Sequence, residues 1–245
     1  MKKLLKGLLT DLDGTLLDID MDYFIPHYLK SMNDFAVRTG LAAKDNHLIP
    51  LVLEGTSRMM KNQDIRQTNE EVFMNCFFQD PYFAERKEQS LEFFRRFYDE
   101  IFPELCIYCK TFPFAPALVD AMFETGLPVV IATSPVFPLR AIEARLKWAG
   151  IADYPFTLIT SYEVMHTCKP HINYFMETAG MAGLDAKDCL MIGNDKQDDL
   201  PAVRTGMRTF LLEEAVLDNG KGAEAPSYQG KSQALMDLLK RIRQV

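Results

Sequence analysis

Residues 8–16 read Leu-Leu-Thr-Asp-Leu-Asp-Gly-Thr-Leu and are the strongest indication of the fold in this chain. An apolar run typical of a buried strand ends here in Asp11 and Asp13, and Gly14 follows at once. Two carboxylates at such a place lose hydration and repel each other, which raises at least one pKa unless a cation intervenes. The pattern is typical of a site that holds a divalent metal, performs acid–base chemistry, or does both.

Short apolar runs recur along the chain, and they read as strands covered on both faces because they are unbroken rather than alternating. These runs are 7–12, 128–133, 156–160, 189–193 and 208–212. Helical patterns that lead to a glycine lie between and after them, at 115–124, 139–149, 173–182 and 200–205. The alternation predicts an α/β fold with a Rossmann-like parallel sheet flanked by helices.

A long stretch, residues 18–110, departs from this alternation. It carries apolar and aromatic residues at helical spacing, such as Leu91, Phe94 and Tyr98, and few convincing strands. We interpret it as a mostly helical inserted domain whose aromatics form a packed core rather than a cofactor site. Residues 1–17 and 111–245 would then form the α/β core, with a surface loop at 218–231 before a final amphipathic helix at 232–243.

The composition excludes some classes of partner. The 245 residues carry a net charge of −7 with no basic block, which does not suggest binding to nucleic acid or to an anionic membrane. No apolar run approaches membrane-spanning length, and Asp11 and Asp13 interrupt the apolar start too early for a secretion signal. The five cysteines form no disulfide or zinc pattern, which fits reduced thiols in a cytoplasm.

Polar residues follow the predicted strands. Because ligands of open parallel sheets bind beyond the carboxyl ends of the strands, these residues should converge with Asp11 and Asp13 at one edge. They are Thr133 and Ser134 after the second run, Lys169 after the third, and Asn194, Asp195, Asp198 and Asp199 after the fourth. Together they supply carboxylates for a hard cation, hydroxyls and an ammonium group.

Four motifs in the same order resemble those of the haloacid dehalogenase-like superfamily, in its phosphatase branch of phosphoglycolate phosphatase-like and β-phosphoglucomutase-like proteins. They are Asp11-Leu12-Asp13-Gly14-Thr15, then Val129-Val130-Ile131-Ala132-Thr133, then Lys169-Pro170, and finally Gly193-Asn194-Asp195-Lys196-Gln197-Asp198-Asp199. The inserted segment after the first motif resembles the family's cap domain. The resemblance therefore implies a cap over 18–110 and a small phosphorylated metabolite as substrate.

The resemblance also implies a mechanism. Asp11 would be the nucleophile that forms an aspartyl-phosphate, and Asp13 would act first as general acid and then as general base. Thr133, Ser134 and Lys169 would bind the phosphoryl oxygens. Magnesium would be the cofactor, and its protein ligands would be Asp11, the backbone carbonyl of Asp13, and an acidic residue of the fourth motif.

The fourth motif departs from the family pattern, which commonly begins Gly-Asp where this chain has Gly193-Asn194-Asp195. Either Asn194 or Asp195 could take the place of the first carboxylate. We expect Asp195 to be the ligand and Asp199 to support it, with Asp198 as the alternative for that second role. Thr133, Asp198 and Asp199 also have purely structural explanations, because Thr commonly ends strands and aspartates are favoured at helix starts.

The segment Leu53-Glu54-Gly55-Thr56-Ser57-Arg58 resembles a cap loop of β-phosphoglucomutases. This resemblance implies that Arg58 contacts a second anionic group of the substrate. The alternative is that Arg58 is a surface residue at the start of a helix.

The function expected is a Mg²⁺-dependent phosphatase. The alternatives are a phosphomutase of the same fold and a non-catalytic binding or regulatory protein; Asp13 argues against a dehalogenase, since that branch lacks this aspartate.

Overall fold

The computed structural model describes residues 5–43, 47–220 and 224–243. The strands in these residues are β1 (Gly7–Thr10), β2 (Leu17–Asp18), β3 (Lys110–Thr111), β4 (Val129–Ile131), β5 (Leu158–Ile159), β6 (Cys189–Gly193), β7 (Arg208–Leu212) and β8 (Tyr228–Gly230). Six of them form one sheet in the order β5-β4-β1-β6-β7-β8, and every pair in it is parallel. The predicted parallel α/β sheet is thus confirmed.

The sheet places β1 between β4 and β6. Leu8 of β1 pairs with Val129 on one side and with Leu190 on the other. After β1 the chain adds β4 and β5 on one side of it, and later β6, β7 and β8 on the other side. The strand order therefore changes direction at β1. In open parallel sheets a crevice forms at this point, beyond the carboxyl ends of the strands. The end of β1 is therefore where the fold favours a ligand site.

Helices cover both faces of the sheet and build the insertion. They are α1 (Met21–Thr39), α2 (Leu48–Lys61), α3 (Asn69–Phe77), α4 (Pro81–Ala84), α5 (Lys87–Arg96), α6 (Ala115–Phe123), α7 (Leu139–Trp148), α8 (Ile172–Met181) and α9 (Ser232–Arg243). A π-helical turn, Phe97–Ile101, and a 3₁₀ helix, Phe102–Tyr108, follow α5. The side chains of β1 alternate between two cores, with Leu8 in the larger one beside α6 and α9 and Leu9 in the other beside α8.

The predicted helix at 200–205 is present as a 3₁₀ helix, with a proline in its first turn. One prediction of local structure was wrong. The predicted surface loop at 218–231 contains β8, whose residues Tyr228 and Gln229 are exposed and which pairs with β7 at the sheet edge. An exposed edge strand has no apolar run to reveal it. Residues 221–223 of that segment lie outside the described residues.

The insertion is helical, as its spacing indicated, and its aromatic residues pack against one another. Buried phenylalanines line its interior: Phe24, Phe35, Phe73, Phe77, Phe83, Phe93, Phe94, Phe97 and Phe102. The antiparallel pair β2–β3 joins the two ends of the segment. The division into a core and a cap at 18–110 remains a prediction. In the described part of the chain, no helix has both the length and the apolar character needed to span a membrane.

Candidate active site

Asp11 lies directly beyond β1, where the pairing with β6 continues. Its backbone N–H donates to the carbonyl oxygen of Ile192 over 2.8 Å, which fixes the main chain at this point. Its side chain is nearly buried, and both carboxylate oxygens have partners. Oδ1 accepts from Nζ of Lys169 at 2.8 Å, and Oδ2 lies 3.1 Å from the hydroxyl of Thr15. The carboxylate predicted to be a nucleophile is therefore held in one orientation.

Lys169 is buried between two carboxylates. Its Nζ donates to Oδ1 of Asp199 over 2.7 Å as well as to Asp11. Burial alone would lower the pKa of Lys169, but the attraction of Asp11 and Asp199 outweighs it and raises that pKa well above its usual value. The side chain therefore carries a fixed positive charge beside Asp11. Such a charge can bind a phosphoryl oxygen.

Asp13 forms an ion pair with Arg145 of α7, in which Nη1 of the arginine donates to Oδ2. Burial raises the pKa of Asp13; Arg145 opposes this increase and Asp11 adds to it. The second oxygen, Oδ1, is buried and has no hydrogen-bond partner among the described residues, and the same holds for Nη2 of Arg145. The ion pair thus uses one oxygen of the carboxylate and one terminal nitrogen of the guanidinium.

Sequence reasoning missed Arg145. It is 1% exposed and sits on the buried face of α7 with Ala141 and Ile142. Its guanidinium lies over the ring of Phe137, 4.5 Å from the ring centre, and its Nε donates to the carbonyl of Ala141 over 3.3 Å. An arginine in register with the apolar positions of a helix was the available signal, because such a residue needs a buried partner.

Gly14 and Thr15 connect the first motif to the fourth. Gly14 has a φ of +78°, and a Cβ there would collide with the side chain of Asn194, so only glycine suits this position. The Thr15 hydroxyl lies 2.9 Å from Oδ1 of Asn194, and Nδ2 of Asn194 donates to the carbonyl of Ala215 over 2.7 Å. The amide oxygen of Asn194 is thereby directed towards the Thr15 hydroxyl, which also lies beside Oδ2 of Asp11.

The acidic turn after β6 uses its three aspartates differently. Oδ1 of Asp195 accepts from the backbone N–H groups of Gln197 and Asp198, at 2.7 and 3.0 Å, and so shapes the turn. Oδ2 of Asp199 accepts from the backbone N–H of Asp195 over 3.0 Å, while its Oδ1 binds Lys169. Burial raises the pKa of Asp198, whose carboxylate has no hydrogen-bond donor within the described ranges.

The oxygen donors near Asp11 suit a magnesium ion. Among the residues that the structure describes, no three His, Cys, Asp or Glu side chains are grouped to hold a metal. A set of oxygens of mixed type does exist: the Asp11 carboxylate, the Asp13 carbonyl, which accepts no hydrogen bond from a described residue, and Oδ1 of Asn194. Mg²⁺ takes one or two carboxylates plus water and substrate oxygens, so the set fits this ion. The contacts favour Asn194 over Asp195, and either ligand role remains a prediction.

Thr133 and Ser134 follow β4 at the same edge. The carbonyl of Thr133 accepts from the hydroxyls of Thr160 and Tyr174, at 2.7 and 2.9 Å, which anchors the loop after β4. The side-chain hydroxyls of Thr133 and Ser134 have no hydrogen-bond partner in the part of the chain described. A role for both hydroxyls in binding a phosphoryl group remains a prediction.

Asn69, the first residue of α3, is a second residue that the sequence did not reveal. It is fully buried, and its Nδ2 donates to the carbonyl of Pro135 over 3.1 Å and lies 3.4 Å from Sγ of Cys168. Pro135 follows Thr133 by two positions, and Cys168 directly precedes Lys169, to which a cis peptide bond joins Pro170. One amide of the insertion thus contacts both loops that would bind phosphate.

Arg58 does not contact these groups. It lies in the last turn of α2, so residues 53–58 belong to a helix rather than to the loop that the resemblance implied. Its Nη2 pairs with Oε1 of Glu54 at 2.7 Å, four residues earlier on the same helix, and both side chains are about half exposed. A role for Arg58 in binding a second anionic group remains a prediction.

Comparison with known proteins finds phosphatases of similar sequence and a phosphatase structure of the same fold. A phosphoglycolate phosphatase of Yersinia pseudotuberculosis is 26% identical over 211 residues, covering 83% of this chain and 79% of that protein. An N-acetylmuramic acid 6-phosphate phosphatase of Pseudomonas putida is 25% identical over 208 residues, covering 85% of this chain and 82% of that protein. A crystal structure of a HAD phosphatase from Thermococcus onnurineus has the same fold, with a TM-score of 0.57 and 20% identity over 96% of this chain and 98% of that one.

A family model covers all four motifs. The model of the haloacid dehalogenase-like hydrolases matches residues 5–205, which include Asp11, Asp13, Thr133, Lys169 and the acidic turn. The match extends over most of the chain, including the insertion and strands β1, β4, β5 and β6 of the sheet. This protein belongs to the haloacid dehalogenase-like hydrolase family.

Proposed function

We propose that this protein is a Mg²⁺-dependent phosphatase that hydrolyses a small phosphomonoester through an aspartyl-phosphate on Asp11. The observation that carries the proposal is the placement of Asp11 at the end of β1, with Lys169 2.8 Å away and Asp13 two residues later. Membership of a hydrolase family supports it, and so do the two relatives named as phosphatases. The proposal also carries the expectation of a cytoplasmic enzyme that acts on a phosphorylated metabolite.

The first step is attack of an Asp11 carboxylate oxygen on phosphorus. Thr15 and Lys169 hold this carboxylate, so little reorganisation precedes attack. The bond from phosphorus to the ester oxygen breaks, and Asp13 protonates the departing oxygen. Asp13 then removes a proton from the water that attacks the aspartyl-phosphate, which releases inorganic phosphate and restores Asp11.

Charge neutralisation is the other task of the site. Lys169 and the hydroxyls of Thr133 and Ser134 would bind the phosphoryl oxygens. Asp11, the carbonyl of Asp13 and Asn194 would hold Mg²⁺, with Asp195 as the alternative to Asn194. When bound, this ion supplies positive charge that offsets the charge of the phosphoryl group.

The insertion at 18–110 would cover the substrate and exclude bulk water from the reaction. The two relatives are named for different substrates, one a phosphorylated hydroxy acid and the other a phosphorylated sugar acid. A panel of small phosphate esters, including both of these, therefore covers the substrates that similarity suggests.

The test is release of inorganic phosphate from 4-nitrophenyl phosphate and from this panel. Turnover that needs Mg²⁺, is abolished by EDTA and returns with added Mg²⁺ is the expected result. Isomerisation of a sugar phosphate without phosphate release would instead identify a phosphomutase. A folded protein that turns over none of these esters at any Mg²⁺ concentration would contradict the proposal and favour a non-catalytic role.

A further inference from the structure

We propose that Arg145 is a further catalytic residue, whose Nη2 donates a hydrogen bond to the ester oxygen that leaves with the substrate's organic part. This inference rests on the proposed phosphatase function and adds a residue to it. It starts from the two atoms that the Asp13–Arg145 pair leaves without partners, Oδ1 and Nη2.

A buried ion pair that serves only to stabilise the fold should satisfy its remaining donors and acceptors, because an unpaired buried polar atom is costly. This pair does not. Arg145 directs Nη1 to Asp13 and Nε to the carbonyl of Ala141, which leaves Nη2 as a buried donor without an acceptor among the residues that the structure describes. Asp13 likewise keeps Oδ1 unpaired. A single oxygen atom that accepts from Nη2 and receives a proton from Oδ1 would satisfy both.

The ester oxygen of a phosphomonoester is such an atom. As Asp11 forms its bond to phosphorus, the bond from phosphorus to this oxygen breaks and its electron pair stays on the oxygen. Asp13 gives the oxygen a proton, and the products are the aspartyl-phosphate and an alcohol. Arg145 transfers no proton. Its N–H group stabilises the negative charge that develops on the oxygen before the proton arrives.

The surroundings hold the guanidinium in place for this task. It lies over the ring of Phe137, 4.5 Å from the ring centre, and it is 1% exposed. A guanidinium is planar, so fixing Nη1 on Asp13 also fixes the direction of Nη2. A lysine would offer a single ammonium nitrogen to both Asp13 and the ester oxygen. It has no second nitrogen whose direction the contact with Asp13 would fix. Arginine is therefore the residue type that the role requires.

Leaving-group dependence tests the inference. The variants R145K and R145Q would be compared with the wild type on a series of aryl phosphates with leaving groups of different acidity and on an alkyl phosphate, all with Mg²⁺. For R145Q we expect kcat/KM to fall by about 10²-fold on the alkyl phosphate, the cost of losing one donor to a developing oxyanion. The loss on 4-nitrophenyl phosphate should be much smaller, because nitrophenolate is already a stable anion.

The readout is the slope of log kcat/KM against the pKa of the leaving group. Both variants should show a steeper slope than the wild type. The slope of R145K should lie between those of the wild type and R145Q, because lysine keeps a positively charged donor and glutamine does not. The slope compares substrates on one preparation, so partial unfolding lowers every value equally and leaves the slope unchanged. R140Q is the matched control, since Arg140 lies on the same helix but is exposed and pairs with Asp99.

Two failures can be told apart. An active wild type whose slope is unchanged in R145K and R145Q overturns the role of Arg145 and leaves the phosphatase function standing. A wild type that hydrolyses none of the esters overturns the phosphatase function, and the role of Arg145 with it.

Discussion

Nζ of Lys169 lies 2.8 Å from Oδ1 of Asp11, although the two residues are 158 positions apart in the chain. The contact forms because β1 and the segment that follows β5 reach the same edge of the parallel sheet. Lys169 also binds Asp199, so one ammonium group balances two buried carboxylates. The same positive charge therefore stabilises the fold and would bind phosphate.

Replacing Lys169 with methionine should destabilise the protein strongly. Lys169→Met keeps the length of the side chain but leaves Asp11 and Asp199 buried without a cation. Breaking a buried pair in this way costs about 3–5 kcal/mol of the free energy of unfolding, which urea denaturation at neutral pH measures. Lys196→Met is the control, because Lys196 pairs with Asp218 at the surface and its loss should cost about 1 kcal/mol or less. Equal losses in the two variants would contradict the central role of Lys169.

Asp11→Asn should abolish turnover and leave the fold intact. The amide has the size of the carboxylate and can still accept from Lys169, but it is too weak a nucleophile to form the acyl phosphate. Phosphate release under saturating Mg²⁺ should fall to background, while the circular dichroism spectrum stays that of the wild type. Asp34→Asn, at an exposed pair with Lys30, is the matched control and should keep full activity. Near-normal turnover in Asp11→Asn would exclude the assignment of Asp11 as nucleophile.

The sequence predicted the sheet, and it suggested candidate site residues, because both inferences start from the ends of strands. An unbroken apolar run marks a strand covered on both faces, and in a parallel sheet all such strands deliver their next residues to one edge. This rule places Asp11 and Thr133, whereas Lys169 lies ten residues beyond β5 and was singled out by the Lys169-Pro170 motif as well. The exposed strand β8 escaped prediction for the converse reason, since its residues Tyr228 and Gln229 carry no apolar pattern.

Residues whose role depends on packing between elements were not predictable in this way. Arg145 contacts Asp13 across 132 positions, and nothing in the spacing of α7 specifies which carboxylate its buried face will meet. Asn69 reaches Pro135 and Cys168 only because the insertion packs against the loops of the core. Local periodicity predicts an element and its buried face, whereas these contacts follow from how separate elements are docked together.

Variants of the acidic turn should separate the two candidate metal ligands. Asn194→Ala removes the amide oxygen that lies with Thr15 beside Asp11, and we expect the Mg²⁺ concentration for half-maximal activity to rise by about tenfold or more. Asp195→Asn keeps an oxygen that can accept from Gln197 and Asp198, so its effect on the Mg²⁺ titration should be smaller. The reverse order of effects would assign the ligand to Asp195, the residue favoured by the sequence.

The rate at which Cys168 reacts with a thiol reagent should report whether the insertion is packed against the core. Its Sγ lies 3.4 Å from Nδ2 of Asn69 and 3.7 Å from the carbonyl of Met59, both in the insertion. Burial raises the pKa of this thiol to about 12, so at pH 8 it is protonated and a poor nucleophile. Iodoacetamide at pH 8 should therefore label the exposed Cys106 quickly and Cys168 slowly.

Asn69→Ala should speed the labelling of Cys168, because the variant loses the side-chain contacts of Asn69 with the carbonyl of Pro135 and with Sγ of Cys168 itself. Cys189 is the internal control: it is buried in the core beside β1, and burial raises its pKa to about 11. Mass spectrometry of each cysteine over time should show faster modification of Cys168 alone. Equal acceleration at Cys168 and Cys189 would instead mean that the variant unfolds globally, and no acceleration at either would mean that Asn69 does not hold the insertion in place.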